Sequence, residues 1–137
     1  MYMPKQLLIL LLYMFLTLGA KSFAMTNADV DYLQSIKQAV ENKWIPVVKD
    51  LGQQRQVSIV FRVDPDGVIH NVRVRQSSTL MLSDSAALKA ISVAAPFAKP
   101  PSGKECNILS TFTSDHEQNI QSVDVKYYEP KPREKRK

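Results

Sequence analysis

The chain is short of the residues that usually carry chemistry. Its single cysteine, Cys106, excludes an intramolecular disulfide and leaves two readings. Either the thiol is a small apolar group near the start of the last core strand, or it pairs with another chain. The two histidines, His70 and His116, fall on different predicted elements without ligand spacing, so no metal site is expected. Beyond Leu51 the glycines are Gly52, Gly67 and Gly103, too few and too scattered for flexible internal linkers or repeats. The longest apolar run, Leu7–Leu18, is shorter than the ~20 residues that cross a bilayer as a helix. Aromatic residues do not interleave with basic ones on a predicted surface, which argues against a nucleic-acid platform.

What is present is enough for one ordinary core: 137 residues, 45% of them hydrophobic. Residues 1–24 stand apart. Lys5 precedes the Leu7–Leu18 run, and Ser22-Phe23-Ala24 supplies small residues at a cleavage position, so the segment reads as a secretory signal cut between Ala24 and Met25. Lys21 departs from that pattern, and a retained membrane anchor is the other reading. The mature chain then divides into a domain over 25–114, an extension or short strand over 115–128, and a disordered basic tail over 129–137. Met25 to Val125 carries 10 basic and 11 acidic residues, whereas Lys126 to Lys137 carries 6 basic and 2 acidic. The excess positive charge therefore belongs to the tail, which could touch anionic lipid or cell wall or remain a solvated terminus.

Within the domain, hydrophobic period assigns the elements. Val30, Leu33, Ile36 and Val40 recur at helical spacing behind Asn27, a candidate cap with Asp29 and Asp31 in the first turn; Pro46 stops the helix, leaving Trp44 as an apolar plug at its end. Val57, Ile59, Phe61 and Val63 alternate as a strand. Asp64-Pro65-Asp66-Gly67 then turns the chain into a second strand, with Val68, His70, Val72 and Val74 on one face and Ile69, Asn71, Arg73 and Arg75 on the other. Ser83 or Asp84 caps an alanine-rich helix containing Ala87, Ala90 and Ile91, which ends at Pro96. A third strand follows Pro100-Pro101, with Ile108, Ser110 and Phe112 alternating against Leu109, Thr111 and Thr113; Val123, Val125 and Tyr127 suit a short extra strand or an ordered arm. The expected fold is α+β, two helices packed on a three-stranded antiparallel sheet with room for one more C-terminal strand. Ser77, Ser78, Ser83 and Asp84 lack a nearby histidine and a Gly-x-Ser-x-Gly elbow, so no catalytic residue is assigned.

The order of these elements resembles the C-terminal domains of TolA and TonB proteins over about Tyr32 to Phe112. The resemblance rests on Tyr32 through Val40 leading to Lys43-Trp44 and Pro46, the turn with Asp66 and Gly67, Asp84 with Ala87, and Pro96-Phe97-Ala98-Lys99-Pro100-Pro101-Ser102. It implies a periplasmic, non-enzymatic domain without a cofactor that grips a cell-envelope protein, such as an outer-membrane or secretion-machine component, by adding a strand at a sheet edge. An exposed edge has unpaired amides and carbonyls ready for that purpose. The edge expected here is the strand Asn107, Ile108, Leu109, Ser110, Thr111, Phe112 and Thr113. A second expectation, of a different kind, is a structural subunit of an envelope-spanning secretion or conjugation machine.

Overall fold

A computed structural model describes residues 25–46 and 54–131; Ala24 and the last six residues of the tail lie outside them. The elements are α1 (Asn27–Glu41), β1 (Arg55–Val63), β2 (Ile69–Gln76), α2 (Met81–Ala94), β3 (Cys106–Asp115) and β4 (Ile120–Tyr127). All strand pairs are antiparallel and the sheet order is β2-β1-β3-β4. Among the described residues the fold is thus α+β, with two helices packed on a sheet of four strands. Among the described residues no helix is long and apolar enough to cross a membrane.

Helix α1 starts one residue earlier than Asn27 as cap would require. Thr26 and Asp29 satisfy each other: the Asp29 amide donates to Thr26 Oγ1 at 3.2 Å, and the Thr26 amide to Asp29 Oδ2 at 3.0 Å. The buried stripe is Tyr32, Leu33, Ile36 and Val40. Val30 is exposed, contrary to its place in the apolar pattern. At 100° per residue it lies roughly 100° from the centre of that stripe. Past the helix, Trp44 sets its ring against Phe112, edge to face, with centroids 5.3 Å apart.

The first hairpin is held by its own aspartate. Asp64 Oδ1 accepts from the amides of Asp66 and Val68, both at 2.9 Å, and Gly67 adopts φ +89°. The turn also docks onto the segment after α2, where the Phe97 amide donates to the Gly67 carbonyl at 3.0 Å and the Phe97 ring stacks on Phe61. Strand β2 does not keep the simple alternation read from its valines. Its pairing with β1 shifts twice, between Ser58 and Ile59 and between Val60 and Arg62, and Asn71 takes a left-handed φ of 53°. As a result Ile69 and Val72 pack on the core, whereas Val68 and Val74 are exposed.

Helix α2 begins at Met81, ahead of Ser83 and Asp84, and Leu80 at its N-cap offers no side-chain bond. Asp84 instead sits in the first turn and reaches back to the preceding loop, accepting from the Ser78 amide at 2.9 Å and hydroxyl at 2.7 Å, and from the Ser77 hydroxyl. Small residues bring the helix close to the sheet: Ala87, Ala90 and Ile91 are buried. The core between the helices and the sheet is centred on Ile36, Val40, Ile59, Phe61, Val63, Ile91, Ile108, Phe112 and Val123.

Candidate functional site at the sheet edge

Strand β3 is not an edge. It pairs along its whole length with β1, from Val63↔Cys106 to Arg55↔Ser114, and with β4, from Ile108↔Tyr127 to Asp115↔Ile120. Asn107, Ile108, Leu109, Ser110, Thr111, Phe112 and Thr113 therefore have their backbone groups engaged on both sides. That corrects the expectation of a free edge there. The cause lies just past the strand: the Gln118 amide donates to Asp115 Oδ1 at 3.1 Å, Asn119 adopts φ 51°, and the chain returns as β4 to cover β3. Of the seven side chains, Ile108, Ser110 and Phe112 point into the core, and the other four line the opposite face.

The edges are β2 and β4, and they differ. The irregular pairing and positive φ of β2 give a bent, interrupted rim, a form that discourages strand addition. Strand β4 keeps an unbroken register with β3 over eight residues. The Tyr128 amide donates to the Asn107 carbonyl at 2.9 Å, which sets the parity of the ladder. Residues 120, 122, 124 and 126 bond inward to β3, and the amides and carbonyls of Gln121, Val123, Val125 and Tyr127 point outward. Among the described residues those outward groups have no backbone partner. Sequence reasoning had the alternation of Val123, Val125 and Tyr127 but not the fact that this strand closes over β3.

Among the described residues, the polar side chains away from this edge serve local structure. Trp44, Pro46, Arg55, Val57, Ser83, Ala86, Phe112 and Ser114 line a small groove of about 10 Å³, close to the room one water needs. Arg55 there donates to the Ser78 carbonyl at 3.2 Å and to Thr79 Oγ1 at 3.1 Å. Burial works to raise the pKa of Asp84, but the hydrogen bonds from Ser77 and Ser78 outweigh it and hold the carboxyl below its ordinary range. Asp84 is therefore a bound anion that orders a loop. Among the described residues no group of His, Cys, Asp and Glu could hold a metal.

Near the start of β3, half-buried Cys106 lies beside the buried Tyr32. Burial pushes the Cys106 thiol up, a hydrogen bond with Tyr32 opposes this, and the Asp29 charge adds to it, so the reactive thiolate is disfavoured. Burial raises Tyr32 and Tyr127 as well; the Tyr127 hydroxyl donates to Asp29 Oδ1 at 2.9 Å, tying β4 to the start of α1. The remaining signature residues are structural in place: Tyr32, Gly67, Ala87, Phe97 and Pro100 are buried, Trp44 and Pro46 half-buried, and Met25, Asp66, Pro96 and Pro101 exposed.

Among the described residues, two helices over one antiparallel sheet define a small α+β domain. The chain belongs to the TonB C-terminal family, whose model, described as "TonB C terminal", matches residues 30–113, more than half of the sequence. The fold is also that of the NMR solution structure of the Helicobacter pylori TonB C-terminal domain. The match has a TM-score of 0.56 and 24% identity, and it covers 71% of this chain and 94% of that one. At that identity the likeness is one of fold. No curated protein matches the chain in sequence. Domains of this family are protein-interaction modules of the cell envelope.

Proposed function

We propose that this chain is a periplasmic, non-enzymatic docking module that receives an extended segment of an envelope protein along the outer edge of β4. The observation that carries the reading is the row of outward amides and carbonyls at Gln121, Val123, Val125 and Tyr127, regular over the full strand and without a backbone partner among the described residues. An incoming strand would gain main-chain hydrogen bonds there, each contributing on the order of 1 kcal/mol net. The opposite edge, bent by two register shifts, cannot offer the same unbroken ladder. Family membership supports a binding role, and the signal-like residues 1–24 support export.

The test uses the outward direction of the Gln121 amide. Gln121→Pro removes a donor that points away from β3, so the β3–β4 ladder keeps its bonds while the edge loses one bond and gains a bulky ring. A photo-crosslinking residue placed at Asp124, which is exposed, should trap the partner in cells. Those adducts are expected to fall at least roughly tenfold with Gln121→Pro, the loss of more than one edge bond, while the melting temperature stays near that of the parent. Unchanged adducts in a folded Gln121→Pro protein would reject the β4 edge.

A further inference from the structure

The outer rim of β4 is complementary to itself. Its two exposed charges, Asp124 and Lys126, stand opposite Thr111 and Leu109 on the face of the sheet away from the helices. Neither makes an ion pair among the described residues. Between them in sequence is Val125, whose side chain joins the core on the helix side and whose amide and carbonyl point outward. No proline and no register shift interrupts the strand from Ile120 to Tyr127. A rim of this kind is a template for pairing with another chain.

Two copies of one strand pair antiparallel about a two-fold axis, and the residue on that axis fixes every other pairing. With Asp124 or Lys126 on the axis, two like charges face each other directly, which disfavours the pair. With Val123 on the axis, Asp124 meets Ser122 of the second copy and Lys126 meets Ile120, so neither charge is matched. Axes nearer either end shorten the ladder. With Val125 on the axis the match is complete: each Asp124 faces Lys126 of the other copy, and each Val123 faces Tyr127. The charged pairs then fall at non-hydrogen-bonded positions, where opposite side chains approach most closely. Val125 with Val125, and Val123 with Tyr127, exchange the outward amides and carbonyls.

We infer that the β4 rim pairs with the β4 rim of a second copy of this chain, antiparallel about Val125, joining two four-stranded sheets into one. The charges select this register over its neighbours, and the outward backbone groups hold it. The inference rests on the docking reading for its consequence. Copies paired in this way cover the amides and carbonyls that an envelope segment would use, so self-pairing and capture compete for one rim.

The test takes the chain from Met25 to Lys137, which contains every residue of the described core, and follows its mass by sedimentation equilibrium over a concentration series. Expected is a monomer–dimer equilibrium. Asp124→Lys sets a lysine against Lys126 of the second copy, and Lys126→Asp sets an aspartate against Asp124. Each variant alone should therefore dimerise at least roughly tenfold more weakly than the parent. Mixing the two variants restores both opposite-charge pairs, so a heterodimer of about parental affinity is expected, and the double variant should pair with itself equally well. Unfolding cannot imitate that recovery. A parent that stays monomeric up to roughly 1 mM, single variants that dimerise as the parent does, or no recovery on mixing would each overturn the inference. The two readings of the rim fail separately. A monomeric parent whose cellular adducts still fall with Gln121→Pro sinks self-pairing alone, whereas charge-swapped dimers with adducts to second copies only sink capture of an envelope segment alone.

Discussion

Gly67 meets two independent constraints. Its φ of +89° is one that residues with a side chain rarely adopt, and a Cβ built there would stand 2.1 Å from the Phe97 carbonyl oxygen. Neither can relax cheaply, because the neighbour is backbone and its own amide is bonded to Gly67. Gly67→Ala should therefore cost at least about 3 kcal/mol in urea unfolding, far above the usual change at an exposed turn. The turn was legible in Asp64-Pro65-Asp66-Gly67, but the second constraint was not, since Phe97 lies far along the chain. Ser110 shows the opposite case. It is fully buried at the centre of β3 and its hydroxyl has no partner among the described residues. Removing an unsatisfied buried hydroxyl should stabilise, so Ser110→Ala is expected to raise the unfolding free energy by about 1 kcal/mol.

At the scale of elements, helix ends and strand faces separate what period can say from what it cannot. The apolar recurrences placed both helices and three strands and left the fourth as a short strand or an ordered arm, but the start of α2 is set by Asp84 accepting from Ser77 and Ser78. Those bonds depress the folded-state pKa of Asp84 below the unfolded one. The stability they contribute is then fully present above the ordinary carboxylate pKa of about 3.9 and is lost as pH falls through the lower folded value. Urea midpoints measured from neutral pH down to about pH 2.5 should show Asp84→Asn less stable than the parent at neutral pH and converging with it in acid. A constant gap across that range would mean that Asp84 acts through packing and not through its charge. In β2 the valine pattern misled, because two register shifts and the left-handed Asn71 depend on how β2 meets β1. A one-residue shift turns every following side chain to the other face.

At the scale of the molecule, the decisive fact is the strand order. With the sequence Asn107–Thr113 alone, an alternating strand looks equally suited to an edge or to the interior, since period two reports which face is buried and not what lies beside the backbone. Pairing with both β1 and β4 makes it interior and moves the candidate binding rim to Gln121–Tyr127. The self-complementary rim is likewise a product of assembly: Asp124, Val125 and Lys126 adjoin in sequence, but Val125 turns its amide and carbonyl outward only when the register with β3 is in place.

The linear chain determined the α+β class, the helix–hairpin–helix–strand order, the first turn, and the family resemblance carried by Trp44, Gly67, Asp84 and Phe97, because these depend on neighbours a few residues apart. Only the tertiary structure decided which strand is an edge and what Gly67 must avoid. Those outcomes follow from hydrogen bonds and contacts between segments far apart in sequence, whose register no local pattern encodes.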